Sequence, residues 1–94
     1  MANITLIAAA KLALRITTSA YDDEIGRLLD AAFLDLGVAG VDEPSESDAL
    51  YEQAAITYVR ANFGSPSDYD RLKKSYDEQK AQMQTATGYT NWGS

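Results

Sequence analysis

The chain has 94 residues with 14 acidic and 8 basic side chains, a formal net charge of −6, and neither histidine nor cysteine. Without these two residue types it lacks a thiolate nucleophile, a disulfide, an imidazole base and the usual ligands of zinc and iron–sulfur sites. The negative charge argues against a nucleic-acid binder, which needs basic surface to displace counterions from phosphate.

The first predicted helix, Thr5–Arg15, lies in the most apolar part of the chain and is rich in alanine. This stretch is too short to span a membrane and lacks the pattern of a signal peptide. We therefore expect a cytoplasmic or virion-borne protein. Lys11 is the one lysine in this helix, and we expect it on the outer face rather than in a reactive site.

The second predicted helix has the clearest start. Ser19 and Asp22 form a capping-box-like pair, and Gly37 is expected to end the helix. The acids Asp22–Glu24 favour the positive end of the helix dipole, which is a simpler explanation for them than a metal site. Apolar residues then recur with helical spacing and predict one fully buried face: Ile25, Leu28, Leu29, Ala32, Phe33 and Leu36.

The connection Val38–Ser47 is rich in acids and contains Pro44, which prevents a continuous helix. Its acidic residues are Asp42, Glu43 and Glu46, with Asp48 directly after it. Such a charge run is typical of a solvated loop. The alternative is an electrostatic surface that faces a basic partner or lines a channel.

Two further helices are predicted after this loop. The third runs from near Ser47 to Asn62, with its aromatic residues on the apolar face. The fourth begins at Ser65–Pro66, a strong N-terminal signal. Its apolar stripe is narrow and steps by three and four residues, as in a heptad seam. This stripe packs either within the subunit or between subunits, so it supplies candidate subunit contacts: Tyr69, Leu72, Tyr76 and Met83.

The sequence therefore predicts an all-α protein: a bundle of about four helices in residues 1–84, followed by an extended C-terminal docking tail in residues 85–94. The tail carries aromatic residues that a short polar segment cannot bury by itself, and aromatic side chains are common anchors at interfaces. The tail folds back on its own domain or is disordered, or it docks on another chain. The candidate partner-binding residues are Thr87, Gly88, Tyr89, Thr90, Asn91 and Trp92.

The sequence contains little that indicates a catalytic site. No base accompanies the serines, and the segment Gly37–Gly40 lacks the lysine and hydroxyl residue of a phosphate-binding loop. We therefore expect neither an enzyme nor a cofactor.

The order of the elements resembles the head–tail connector, or head-completion adaptor, proteins of long-tailed bacteriophages. The resemblance covers most of the chain and rests on four segments in sequence: Leu14-Arg15-Ile16, Ile25-x-x-Leu28-Leu29-x-Ala31-Ala32, Gln53–Gly64 and Tyr69–Asp77. Each segment is an ordinary helix pattern by itself, and the ordered combination carries the resemblance. The chain departs from many relatives at Phe63-Gly64, where a tyrosine followed by charged residues is frequent.

The resemblance implies an assembly subunit at the head–tail interface of the virion, present in the host cytoplasm during assembly. Such subunits form a ring, typically twelvefold, beneath the portal protein and above a stopper or tail-completion protein. DNA passes through the ring without specific binding, and an acidic wall suits passage because it repels phosphate. No membrane is involved. The alternative function is a small acidic helical binder, such as a DNA mimic, an antirepressor or an antitoxin, and a metal-dependent carboxylate hydrolase is a remote third.

Overall fold

The computed structural model describes residues 4–41, 49–64 and 67–85, and 81% of these residues are helical. They form α1 (Ile4–Leu14), α2 (Asp22–Val38), α3 (Ala49–Asn62) and α4 (Tyr69–Thr85), with no strand in the described part of the chain. The predicted all-α fold of about four helices is therefore confirmed. No helix among these residues is long and apolar enough to cross a bilayer.

The buried face of α2 follows the predicted periodicity. Ile25, Leu29, Ala32 and Leu36 are fully buried, while Leu28 and Phe33 are partly buried at the edges of this face. The predicted N-cap at Ser19 is wrong, because the cap position is Tyr21 and its side chain makes no capping hydrogen bond. Ser19 instead contributes its carbonyl, which accepts a bond from the Asp22 N–H at 3.2 Å in the preceding turn.

The helix α2 runs to Val38 with Ala39 as its C-cap, so the glycine that follows the cap is Gly40 rather than the predicted Gly37. Gly40 has a φ of 90°, in the left-handed region that favours glycine. Its N–H bonds to the Gly37 carbonyl at 3.0 Å, and the Val41 N–H bonds to the Leu36 carbonyl at 2.9 Å. This is a Schellman motif, which also brings Val41 into the core beside Leu36.

The helix α3 is the central element, because it packs against each of the other three helices. Seven of its residues are buried: Tyr51, Ala54, Ala55, Ile56, Thr57, Val59 and Ala61. The Thr57 hydroxyl is satisfied by donating to the Gln53 carbonyl at 2.9 Å. Small residues at Ala54 and Ala55 allow the neighbouring helices to approach closely.

Two hydrophobic clusters lie on either side of α3. One joins α1, α2 and α3 around Leu6, Ile25 and Val59. The other joins the C-terminal end of α2 to α3 and α4. The helix α4 starts at Tyr69, later than the predicted start at Pro66, and Ser65 and Pro66 lie outside the described residues.

Candidate functional site: partner-binding surfaces

The predicted seam of α4 lies mostly inside the subunit. Leu72, Tyr76 and Met83 are 3%, 4% and 0% exposed, respectively, and Tyr76 and Met83 join the cluster between α2, α3 and α4. Tyr69 differs, because 41% of its surface is exposed. Leu72, Tyr76 and Met83 therefore pack within the subunit, which is one of the two alternatives left open by the sequence. Of the four predicted residues, Tyr69 is the one whose exposed surface could contact another subunit.

A polar junction links α4 to α2 beside this cluster. The Tyr76 hydroxyl donates to Asp35 Oδ2 at 2.6 Å, and Lys80 Nζ donates to the same oxygen at 3.2 Å. Lys80 Nζ also lies 5.1 Å from the centroid of the Tyr76 ring. On its other side Tyr76 meets the edge of Tyr58, with ring centroids 5.2 Å apart. Tyr76 thus connects three helices through one side chain.

The contacts in this junction determine the protonation states of the Tyr76 hydroxyl and the Asp35 carboxyl group. Burial raises the pKa of Tyr76, and the hydrogen bond to Asp35 raises it further, so the hydroxyl remains a donor at neutral pH. Partial burial alone would raise the pKa of Asp35, but the hydrogen bonds from Tyr76 and Lys80 outweigh it and hold this pKa below its usual value. Asp35 is therefore a carboxylate under physiological conditions.

A shallow groove of about 230 Å³ opens beside this junction, between α4 and the C-terminal end of α3. Its polar lining includes Asn62, Tyr69, Lys73, Tyr76, Asp77 and Lys80. Both lysines already have carboxylate partners, since Lys73 pairs with Asp77 at 3.0 Å and Lys80 pairs with Asp35. Among the described residues that line the groove, no unpaired cation therefore remains to hold a phosphate. Within the described ranges no group of three or more acidic side chains is placed to hold a metal ion.

Two helix surfaces of the described subunit are apolar and open to solvent. On α1, Ile4 and Leu12 are 86% and 81% exposed, with the exposed Ala8 between them. On α2, Leu34 and Val38 are 71% and 82% exposed. We define the α1 face as Ile4, Ala8 and Leu12, together with the exposed Arg15 that directly follows the helix. We define the α2 face as Asp30, Leu34 and Val38.

Neither face was identified from the sequence, although both carry a pattern. The α1 face repeats every four residues on a helix that is apolar all round, and such a helix is normally covered on more than one side. Leu34 and Val38 follow the same spacing, about half a turn away from the buried residues of α2. Exposed apolar side chains arranged in a row mark surfaces for partners.

Lys11 lies in a different place from the one predicted. Its side chain is only 18% exposed, and its Nζ lies 2.8 Å from Asp22 Oδ1. This ion pair ties the C-terminal end of α1 to the first turn of α2. The expectation of an exposed Lys11 is therefore wrong. Asp22 has a structural role as a partner of Lys11 in addition to its place at the helix dipole.

The other candidate sites lie outside the described residues. These are the tail residues Thr87, Gly88, Tyr89, Thr90, Asn91 and Trp92, and the acidic residues Asp42, Glu43, Glu46 and Asp48. Their partner-binding roles stay predictions.

The fold and these surfaces define a small all-α protein with open helix faces. A family model of phage connector proteins matches residues 6–90, which is most of the chain. The chain therefore belongs to the phage connector protein family, as the resemblance implied. No curated protein and no solved structure matches it.

Family membership assigns the chain to the virion of a bacteriophage, in a head–tail connector role. The family is structural rather than catalytic, and its members assemble with other head and tail proteins. The match includes the tail as far as Thr90 and stops before Asn91 and Trp92.

The lowered pKa of Asp35 predicts how stability changes in acid. The contribution of its charged form to the free energy of unfolding is complete above the unfolded pKa of about 3.9 and is lost as the pH falls below that value. Asp35→Asn should lower the stability at pH 7 and flatten the acid limb of the stability curve. Urea unfolding at pH 7, 4 and 3 measures both effects. Glu78→Gln, on the exposed side of α4, is the control and should follow the wild-type curve; an identical acid limb in Asp35→Asn would contradict the assignment.

Proposed function

We propose that the chain is a connector subunit that forms a ring beneath the portal protein, leaves a channel for DNA, and joins the head to a stopper or tail-completion protein. The observation that carries this proposal is the match of the connector family to residues 6–90 of an all-helical subunit. Two open apolar faces on different helices support it, because ring subunits must contact neighbours on two sides.

The charge distribution supports a channel for DNA rather than a DNA-binding surface. The chain has a net charge of −6, and four of its acids lie between residues 42 and 48. Half of its basic residues are on α4, where Arg71 pairs with Asp68, Lys73 with Asp77 and Lys80 with Asp35. Few cations are thus available to displace counterions from a phosphate backbone. We assign Asp42, Glu43, Glu46 and Asp48 to the wall of the channel or to a basic partner.

We assign the C-terminal tail to the portal protein. The tail contains Tyr89 and Trp92, and aromatic side chains are enriched at the energetic centres of interfaces. It follows directly on α4, whose last turn is held to the end of α2 by a bond from Gln84 Nε2 to the Ala39 carbonyl at 2.8 Å. The described turn that precedes the tail is therefore held against the end of α2.

Deletion of residues 87–94 should leave the helical content nearly intact and abolish binding to the portal protein. Trp92→Ala should weaken that binding by about 2 kcal/mol or more, roughly 30-fold, if the indole is an anchor. Circular dichroism measures the helical content, and surface plasmon resonance with immobilised portal protein measures the affinity. Ser94→Ala is the control, because it lies in the same tail but outside the candidate docking residues, and it should keep the wild-type affinity.

An unchanged affinity of Trp92→Ala would remove this residue from the interface, and loss of the helical signal after the deletion would assign the tail to the core of the subunit.

A further inference from the structure

We infer that the α1 face of one subunit packs against the α2 face of a second copy, with the two helices antiparallel. This inference rests on the proposed ring and names the two surfaces that join neighbouring subunits. Both surfaces consist of side chains directed away from the core of their own subunit.

The apolar residues of the two faces have the same spacing. Ala8 and Leu12 are one helical turn apart on α1, and Leu34 and Val38 are one turn apart on α2, which is about 6 Å in each case. In an antiparallel pair Leu12 therefore lies opposite Leu34 while Ala8 lies opposite Val38. The small Ala8 side chain leaves space for the branched Val38. Ile4 then extends beyond Val38, towards the residues that follow α2.

The charges on the two faces are complementary in the same register. Arg15 directly follows α1, three residues beyond Leu12; it is exposed and makes no ion pair with the described residues. On α2 the exposed side chains before Leu34 are mainly acidic: Asp23, Glu24 and Asp30, with Arg27 as the single base. When Leu12 lies opposite Leu34, Arg15 lies close to Asp30. The acidic end of α2 therefore receives the one exposed cation of the α1 face.

The backbone at Arg15 gives a second reason to assign this cation a role. Arg15 has a φ of 60°, and it is the one described residue other than glycine with a positive φ. It occupies the position after α1 where glycine is usual, since the Ile16 N–H bonds to the Lys11 carbonyl at 2.9 Å in a Schellman motif. Arginine is less favourable than glycine in this conformation. A favourable contact of the Arg15 side chain with the acidic residues of a second copy would explain why this position carries arginine instead of glycine.

The pairing joins two different surfaces, so it is heterologous. Each subunit that uses its α1 face for one neighbour still offers its α2 face to another. Such contacts continue from copy to copy until the assembly closes into a ring. A symmetric contact between two α1 faces would instead stop at a dimer.

Disulfide trapping tests the contact directly, because the wild-type chain contains no cysteine. A disulfide forms only between Cα atoms about 4.4–6.8 Å apart, so it reports the register. An equimolar mixture of Ala8→Cys and Val38→Cys should give a covalent heterodimer in an oxidising thiol buffer. The double variant should give a ladder of higher oligomers on a non-reducing gel. A mixture of Ala8→Cys and Arg27→Cys is the matched control and should not cross-link, since Arg27 lies about 16 Å along α2 from Val38.

The charge pairing has its own test in the same assay. Arg15→Glu, added to the Ala8→Cys chain, should lower the initial rate of cross-linking to Val38→Cys about five-fold. Arg15→Lys should keep most of the wild-type rate, because it retains the charge. Equal rates for Arg15→Glu and Arg15→Lys would contradict the role assigned to Arg15.

Three results would overturn the contact. Ala8→Cys that cross-links to itself as fast as to Val38→Cys would indicate a symmetric α1 pair. Equal yields with Val38→Cys and Arg27→Cys would show that no defined register exists. Cross-linking that requires prior deletion of residues 87–94 would show that the tail covers the α2 face.

The same cysteine variants, incubated with portal protein, separate this inference from the proposed function. Recruitment of several copies to the portal without the Ala8–Val38 cross-link would leave the ring in place and contradict this contact. Absence of recruitment for the wild-type chain would contradict the proposed function itself.

Discussion

Leu29→Asp should unfold the subunit, whereas Leu34→Asp on the same helix should leave it folded. Leu29 is fully buried in the cluster between α1, α2 and α3, and Leu34 is largely exposed. Loss of a buried leucine side chain costs about 2–5 kcal/mol, and an unpaired carboxylate in the same place adds a desolvation cost. A domain of this size has a total stability of about 5–14 kcal/mol at the usual 0.05–0.15 kcal/mol per residue.

The two aspartate variants form a matched pair, since they make the same change five positions apart on one helix. Circular dichroism at 222 nm during urea titration measures their free energies of unfolding. We expect Leu29→Asp to have lost most of its helical signal before urea is added, and Leu34→Asp to lie within about 0.5 kcal/mol of the wild type. A stable Leu29→Asp would mean that the buried face of α2 is assigned incorrectly.

Tyr76→Ala should be the most damaging single change on α4. The Tyr76 ring is buried against Tyr58 and the hydroxyl bonds to Asp35, so the variant loses packing on α3 and the polar link to α2 together. Truncation of a buried aromatic side chain costs about 3–5 kcal/mol. Hydrogen exchange by mass spectrometry should show α4 opening first, because its remaining polar link near this site is the ion pair of Lys80 with Asp35.

Tyr76→Phe separates the hydrogen bond from the packing. It keeps the ring and removes only the hydroxyl, and Asp35 still has Lys80 as a partner. We expect a cost of about 1 kcal/mol, well below that of the alanine variant. Equal costs for Tyr76→Phe and Tyr76→Ala would show that the hydroxyl bond, rather than the buried ring, holds α4 in place.

Periodicity predicted the helices well where one face is buried. On α2 the regular spacing of Ile25, Leu29, Ala32 and Leu36 identified the core, because only burial of a whole face produces that pattern. The ends were predicted less well. Both Gly37 and Gly40 are compatible with a helix terminus, and the Schellman bonds that select Gly40 become visible only in three dimensions.

The α4 stripe was narrow enough in sequence to suggest a contact between subunits, yet the structure uses it within the subunit. One reason is that Tyr76 covers a wide area and the Lys80 chain lies over its ring. A few large residues thus cover α3 without a broad apolar face. The link of Tyr76 to Asp35 spans 41 residues, and no local pattern indicates such a pair.

On the helix α1, the exposed apolar residues were difficult to predict from the sequence. Helical spacing in the sequence indicated Leu6 and Ala10, but nearly all residues of this helix are apolar, so no polar side marks which apolar residues stay exposed. The structure buries Leu6 and Ala10 and leaves Ile4 and Leu12 open. The α1 face is therefore a product of the tertiary fold, and so is the contact that we infer for it.

The mass of the complex between the chain and the portal protein tests the connector function most directly. Portal protein from the same phage is titrated with the wild-type chain, and light scattering coupled to size-exclusion chromatography measures the mass of the portal peak. We expect the mass to rise and then saturate at a fixed number of copies on each portal, because a closed ring has a defined number of sites. A portal peak of unchanged mass at saturating concentrations of the chain would contradict the account.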